Sequence, residues 1–248
     1  MPVRIRATAF HLLISLGIAL LAAALVFGVW FPGDYRRLSG GFSLFLLITS
    51  VDVVLGPLLT LVVFNPKKPR AELTRDLAVV AALQLGALAY GLHAMALARP
   101  VALVQEVDRF RIVSVGQVLD RELAAAGQRL SYTGPRLMGT RAVTPGESVD
   151  AAELALQGYD VGQRPTFWQP YENSRAKALK HSRPLSAWLD HQPGGRAAIE
   201  EKVRSLGGDP ATARFSVLIS HVPGWSVVLD PAGNVLGFAP FEDASTKN

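Results

Sequence analysis

The sequence has no cysteine. Disulfides, thiolate metal sites and thiol nucleophiles are therefore excluded together. It also lacks a G-x-S-x-G elbow, an H-E-x-x-H zinc motif and a phosphate-binding P-loop, which removes the common hydrolase, metalloprotease and nucleotide-hydrolase signatures. The net charge is +5, but Lys and Arg do not cluster with interleaved aromatics, so no nucleic-acid surface is expected. His181, His191 and His221 do not have metal-ligand spacing and read as surface or turn residues. The S-x-x-K run at Ser174–Lys177 has no S-D-N or K-T-G companion, and a helix start capped by Asn173 or Ser174 accounts for it. The expectation is no enzyme, no cofactor and no metal.

Charge is missing too from three long stretches. The first runs from Ala7 to Phe31 behind Arg4 and Arg6 and ends in Trp30 and Phe31, which read as an interfacial aromatic anchor. A cleaved signal peptide is the rival reading because of Ala22-Ala23-Ala24, but the apolar run continues past them, so an uncleaved anchor is expected. The second runs from Phe42 to Phe64 with one ionisable residue, Asp52, near its middle. The third covers Leu77 to Ala98. Each is long enough to cross a hydrocarbon core of about 30 Å as a helix. Spans at about 7–31, 42–64 and 77–98 make residues 1–98 a membrane domain. The composition change near Arg99-Pro100 starts a second domain over 99–248.

Lys and Arg set the orientation. Arg4 and Arg6 precede the first span, and Lys67, Lys68, Arg70 and Arg75 lie between the second and third. The positive-inside bias puts both segments in the cytoplasm and the carboxyl-terminal domain on the far side, in a periplasm-like space.

An aspartate at the centre of a membrane helix costs about 2.5–3.5 kcal/mol on insertion scales, so Asp52 needs a partner. Counting depth from the cytoplasmic ends of the spans places Tyr90 level with Asp52 and Gln84 a turn or two nearer the cytoplasm. An Asp52–Tyr90 hydrogen bond is the expectation. Gly56-Pro57 is expected to kink the second span. Small residues at Ser15/Ala19/Ala23 and Ala78/Ala82/Gly86 would let helices approach closely. Asp52, Gly56, Pro57, Gln84 and Tyr90 are thus candidate intramembrane contacts, and Asn65 and Pro66 candidate loop determinants. Three roles compete for the polar set: a structural clamp, a docking site for another protein's membrane helix, or ion translocation, for which three short helices and one carboxylate are a poor pathway.

The second domain reads as mixed α+β. Strands are expected at Val101–Val107, Phe110–Val115, Arg136–Val143, Phe215–His221, Trp225–Leu229 and Val235–Phe238, with a D-P-A-G-N turn before the last. Helices are expected at Gln117–Ala126, Val149–Leu156, Ser174–Lys180, Leu185–His191 and Arg196–Leu206. Between them lies GYDVGQRPTFWQPYEN, an ordered connector with two prolines. Its Phe167, Trp168, Pro170 and Tyr171 are a candidate contact surface, with core packing as the competing account. The fold class is therefore α+β, a three-helix membrane anchor followed by a mixed extracytoplasmic domain.

The runs VDVVLGPLLTLVVFNPKK, ELTRDLAVVAALQLGALAYGL and RPVALVQEVDRFRIV, with the later GPRL and PTFWQPYE, resemble the type IV pilin accessory protein family (TfpX/TfpZ). The resemblance is ordered along most of the chain. It implies a bacterial inner-membrane protein, not an enzyme, that aids assembly of a cognate major pilin as a chaperone or adaptor. The expected partners are that pilin and the bilayer, with no nucleic acid. The competing reading is a membrane-anchored ligand-binding or sensory module. A sensor needs a cytoplasmic output domain, and only short cytoplasmic segments are expected here.

Overall fold

The computed structural model describes residues 3–189 and 195–240. The chain divides into two compact units, Met1–Arg99 and Pro100–Asn248.

The first unit is helical. Helix α1 (Val3–Leu25) passes into a π-helical turn, Val26–Trp30, closed by the Phe31 amide donating to Val26 O at 2.8 Å. A short helix, α2 (Tyr35–Leu38), leads to α3 (Gly41–Val63), and α4 (Arg70–Ala98) completes the unit. Among the described residues three helices are long and apolar enough to cross a membrane: Val3–Trp30, Gly41–Val63 and Arg70–Ala98. Leu20, Leu21, Leu47, Val62 and Leu83 are more than half exposed on their outer faces, as lipid-facing side chains must be. The unit is a membrane anchor.

Glycine positions the start of α3. Gly40 takes the left-handed conformation at φ 70° that reverses the chain, a backbone state that other residues adopt only at a cost. At Gly41 the Phe31 ring occupies the space where a Cβ would lie. Phe31 is fully buried with Val26 and Met95, so its ring packs the end of the bundle rather than anchoring an interface. Phe27 meets Phe45 edge-on at 5.0 Å in the same cluster.

Helix α4 begins at Arg70, seven residues before the apolar run. Its charged first turns stay helical because Lys68 holds Asp76 at 2.7 Å and Glu72 at 3.1 Å. The Asn65 carboxamide accepts the Lys67 amide at 3.1 Å, an Asx turn that ends α3 and turns the chain.

The second unit is an eight-stranded mixed sheet with helices. Strands β1 (Pro100–Gln105) and β2 (Phe110–Ser114) form an antiparallel hairpin. β3 (Arg136–Thr140) lies parallel to β1, and β4 (Trp168–Pro170) lies antiparallel to β3. On the other side of the hairpin, β6 (Arg214–Ile219) runs parallel to β2, followed by β7 (Trp225–Leu229) and β8 (Val235–Pro240). The order is β4-β3-β1-β2-β6-β7-β8, with β5 (Arg183–Pro184) also on β6. β1 is central and buried along its whole length. Helices α5 (Ser148–Leu156), α6 (Arg175–His181), α7 (Leu185–Leu189) and α8 (Arg196–Ser205) complete it. One core joins Val101, Val104, Val113, Met138 and Trp168. The other joins Leu185, Leu189, Ile199, Val203, Phe215 and Val228.

The expected helix at Gln117–Ala126 is instead two 3₁₀ turns, Val115–Gln117 and Asp120–Glu122, with an irregular continuation to Gly127. Tertiary partners take the groups a helix would use. The Leu119 amide donates to Gln163 O at 2.9 Å, and Arg164 and Thr166 capture the Glu122 carboxylate. Asp190 and His191, the last two residues of the helix expected over Leu185–His191, lie outside the described residues.

Candidate functional site

Helix α3 is the floor of the anchor, and α1 and α4 both pack on it. The His11 ring is hydrogen-bonded to the buried Thr60 hydroxyl across α1 and α3. Between α3 and α4, Gln84 Nε2 donates to the main-chain carbonyl of Asp52 at 3.1 Å. Two glycines permit this approach: the Gln84 amide occupies the place of a Cβ at Gly56, and Ile48 does so at Gly91. Gly56 and Pro57 are both buried in α3.

The expected Asp52–Tyr90 bond is not formed. Tyr90 is 76% exposed on the outer face of α4, and the residue level with Asp52 is Gln84. The cause is the early start of α4: Gln84 lies fourteen residues from Arg70, and Asp52 thirteen from Asn65. The second small-residue stripe also faces outward. Ala78, Ala82 and Gly86 are exposed, and a Cβ at Gly86 would meet open space. On α1, Ser15 is buried and Ala19 and Ala23 are partly so.

The Asp52 carboxylate is half-buried, and no side chain among the described residues bonds it. It lines a cleft of about 220 Å³ walled by Ser15, Ala19 and Ala22 of α1 and by Gln84, Leu88 and Met95 of α4.

In the second unit the connector's aromatic rings are in the core. Phe167, Trp168 and Tyr171 are each less than a tenth exposed, and only Pro170 of the four named residues reaches the surface. Core packing is the role the burial supports. Two guanidinium groups stack on the Phe167 ring, Arg141 at 4.5 Å and Arg164 at 4.8 Å. Each cation–π contact is worth on the order of 0.5–2 kcal/mol. Carboxylates hold both arginines: Arg141 pairs with Glu147 through 2.7 and 2.8 Å bonds, and Arg164 pairs with Glu122 at 2.7 Å and Asp150 at 2.8 Å. The Arg141 hydrogen bonds, with help from Thr144, hold the Glu147 carboxyl well below the usual carboxylate range. Trp168 Nε1 donates to Gly162 O at 2.8 Å. Tyr171 Oη donates to Gly233 O at 2.6 Å, and burial pushes its phenol up to about 12.

A second ionic cluster fastens the connector to the β1–β2 hairpin, and sequence reasoning missed it. Glu106 is 2% exposed and accepts from Arg109 Nε at 2.7 Å and Arg111 Nε at 2.6 Å. Asp160 bonds the far ends of both arginines. Gly162 leaves room for the Glu106 carboxylate, which a Cβ there would strike. The signal was the E-V-D-R-F-R run at residues 106–111, whose ends fall in the two expected strands and whose Asp108-Arg109 falls between them. Ser174 is buried with its hydroxyl aimed at Gln169 and Thr140 O, against Gly139. It therefore does not cap α6, and the S-x-x-K serine is packed into the fold. Among the described residues no group of three or more His, Asp or Glu could hold a metal.

A family profile described as Fimbrial assembly protein FimB matches residues 1–40. The chain is 36% identical over 231 residues to "Fimbrial assembly protein, serogroup I" of Dichelobacter nodosus, covering 91% of this chain and 90% of the relative. It is 39% identical over 235 residues to the serogroup E1 protein of the same organism, with the same coverage. A shorter relative, from serogroups C1 and C2, is 46% identical over 116 residues, 47% of this chain and 88% of its own. None of these names describes an enzyme. No solved structure matches the chain.

Proposed function

Because the chain belongs to the fimbrial assembly protein family, we propose that it serves type IV pilus biogenesis as a membrane-anchored chaperone or assembly adaptor for a cognate pilin. The observation that carries this reading is the extent of the similarity: it runs through 91% of the chain, so anchor and mixed-sheet unit belong to the same assembly protein. The anchor sits in the bacterial inner membrane with its amino end in the cytoplasm, and residues 100–248 face the periplasm. There the second unit meets the pilin's globular part, while the helices meet its membrane segment. Helix pairing in a bilayer relies on packing and modest hydrogen bonds. The anchor therefore supplies general contact and the outer surface discriminates between pilins.

Detergent co-purification of the full chain with the pilin of the same cell is the test. Recovery of that pilin, with loss of surface pili on deletion of the gene, is the expected result. Normal piliation in the deletion would overturn the reading.

A further inference from the structure

The cleft of the anchor is built like a receptor for one more helix. Its walls run from His11 to Ala22 on α1 and from Ala81 to Met95 on α4, roughly 17–21 Å along the membrane at 1.5 Å per residue. Ser15, Ala19 and Ala22 keep one wall low, which lets another backbone come close. At about 220 Å³ the cleft does not enclose a helix; it is a furrow that receives a row of side chains. A lipid acyl chain could fill the same length. An acyl chain, however, offers nothing to Asp52, whose carboxylate borders the furrow at mid-membrane while only its main-chain carbonyl is engaged, by Gln84. Polar groups at that depth are satisfied by another polar group.

We propose that the furrow between α1 and α4 seats the membrane helix of the pilin subunit, with a hydrogen-bond donor of that helix on the Asp52 carboxylate. This rests on the assembly reading above and names the site through which the anchor acts. Of the furrow's two titratable groups, His11 is already engaged by Thr60, which leaves the Asp52 carboxylate as the acidic acceptor the incoming helix finds.

The test uses the full chain in its own cells, with photoreactive benzoylphenylalanine placed singly at Ile18 or Leu88 in the furrow and at Leu21 or Leu83 on the outer faces. The expected result is a pilin adduct from the two furrow positions at least about tenfold above the outer two. Asp52→Leu lowers that adduct about tenfold per molecule of chain in the membrane, and Asp52→Asn keeps it, because an amide oxygen still accepts. Adducts with lipid alone, or with a second copy of the chain, would overturn the proposal. So would equal yields from all four positions, or an Asp52→Leu yield that does not change. If the pilin co-purifies but no furrow adduct forms, the helix site falls and the assembly reading stands. If the pilin neither co-purifies nor crosslinks, both fall.

Discussion

Gln84 donates to the main-chain carbonyl of Asp52 at 3.1 Å because residue 56, one turn along α3, has no side chain. The bond clasps α3 to α4 through backbone and leaves the Asp52 carboxylate uncommitted. Inside a bilayer, where apolar contact between helices has little advantage over contact with lipid, close backbone approach and one interhelical hydrogen bond carry much of the pairing.

Gly56→Leu therefore forces Gln84 out of its seat. Overpacking of this kind costs about 1–3 kcal/mol, and the amount of chain in membranes should drop several-fold. Gly86→Leu should stay within about 0.5 kcal/mol of the parent, because a side chain there meets open space. Quantitative blotting of membrane fractions checks the pair, and equal loss in both would refute the seat.

The proposed orientation is checked with a reporter that works only in the periplasm. Fused after Asn248 it should be active, and inserted within Lys67–Arg75 it should be silent. The opposite pattern would reverse the topology and remove the outer unit's access to a pilin head.

Glu106 holds two arginines from a position 2% exposed. Glu106→Ala leaves Arg111, itself 13% exposed at its side chain, with a buried charge poorly matched, a loss of about 3–5 kcal/mol. Glu172, 69% exposed and 4.0 Å from Arg175, should tolerate Ala within about 0.5 kcal/mol. Limited proteolysis of the detergent-solubilised chain reads the difference, with faster cleavage after residue 100 expected for Glu106→Ala alone.

Tyr171 gives the second unit an alkaline limit. Its folded phenol keeps its proton up to about 12 against an ordinary 10.0. Between those values the unfolded chain has lost that proton, so stability falls as pH rises through the window. Tyr171→Phe should remove this slope and also lose the bond to Gly233 O, which costs about 1 kcal/mol at neutral pH. Unfolding followed by Trp fluorescence from pH 9 to 12 is the measurement. A parent and variant with the same pH profile would contradict the assignment.

Exchanging residues 100–248 with those of a relative serving a different pilin should transfer partner choice, read by which pilin co-purifies. Specificity that stayed with residues 1–99 would place discrimination in the anchor instead.

Length and polarity made the anchor legible from sequence. A long apolar run such as Phe42–Phe64 has one low-energy form in a bilayer, a helix, because every backbone group must be satisfied within it. Short runs rich in β-branched and apolar residues made the β1–β2 hairpin and β7 legible. Which residues meet was decided only by the tertiary structure. Whether Tyr90 or Gln84 stands opposite Asp52 depends on where α4 begins, and that was set by Lys68 pairing with Glu72 and Asp76 beyond the apolar run. The connector's rings read equally well as surface or core. They are core because Trp168 packs with Val101, Val104 and Met138, Tyr171 bonds Gly233 O, and Arg141 reaches across to stack on Phe167. The segment after Gln117 has helical text, yet Gln163, Arg164 and Thr166 claim its amide and carboxylate groups. Local pattern fixes what a segment can become when its environment is uniform, as in lipid. In the mixed sheet many of the deciding partners are remote in sequence, such as Gln163 for Leu119 and Arg141 for Phe167, and no local pattern encodes them.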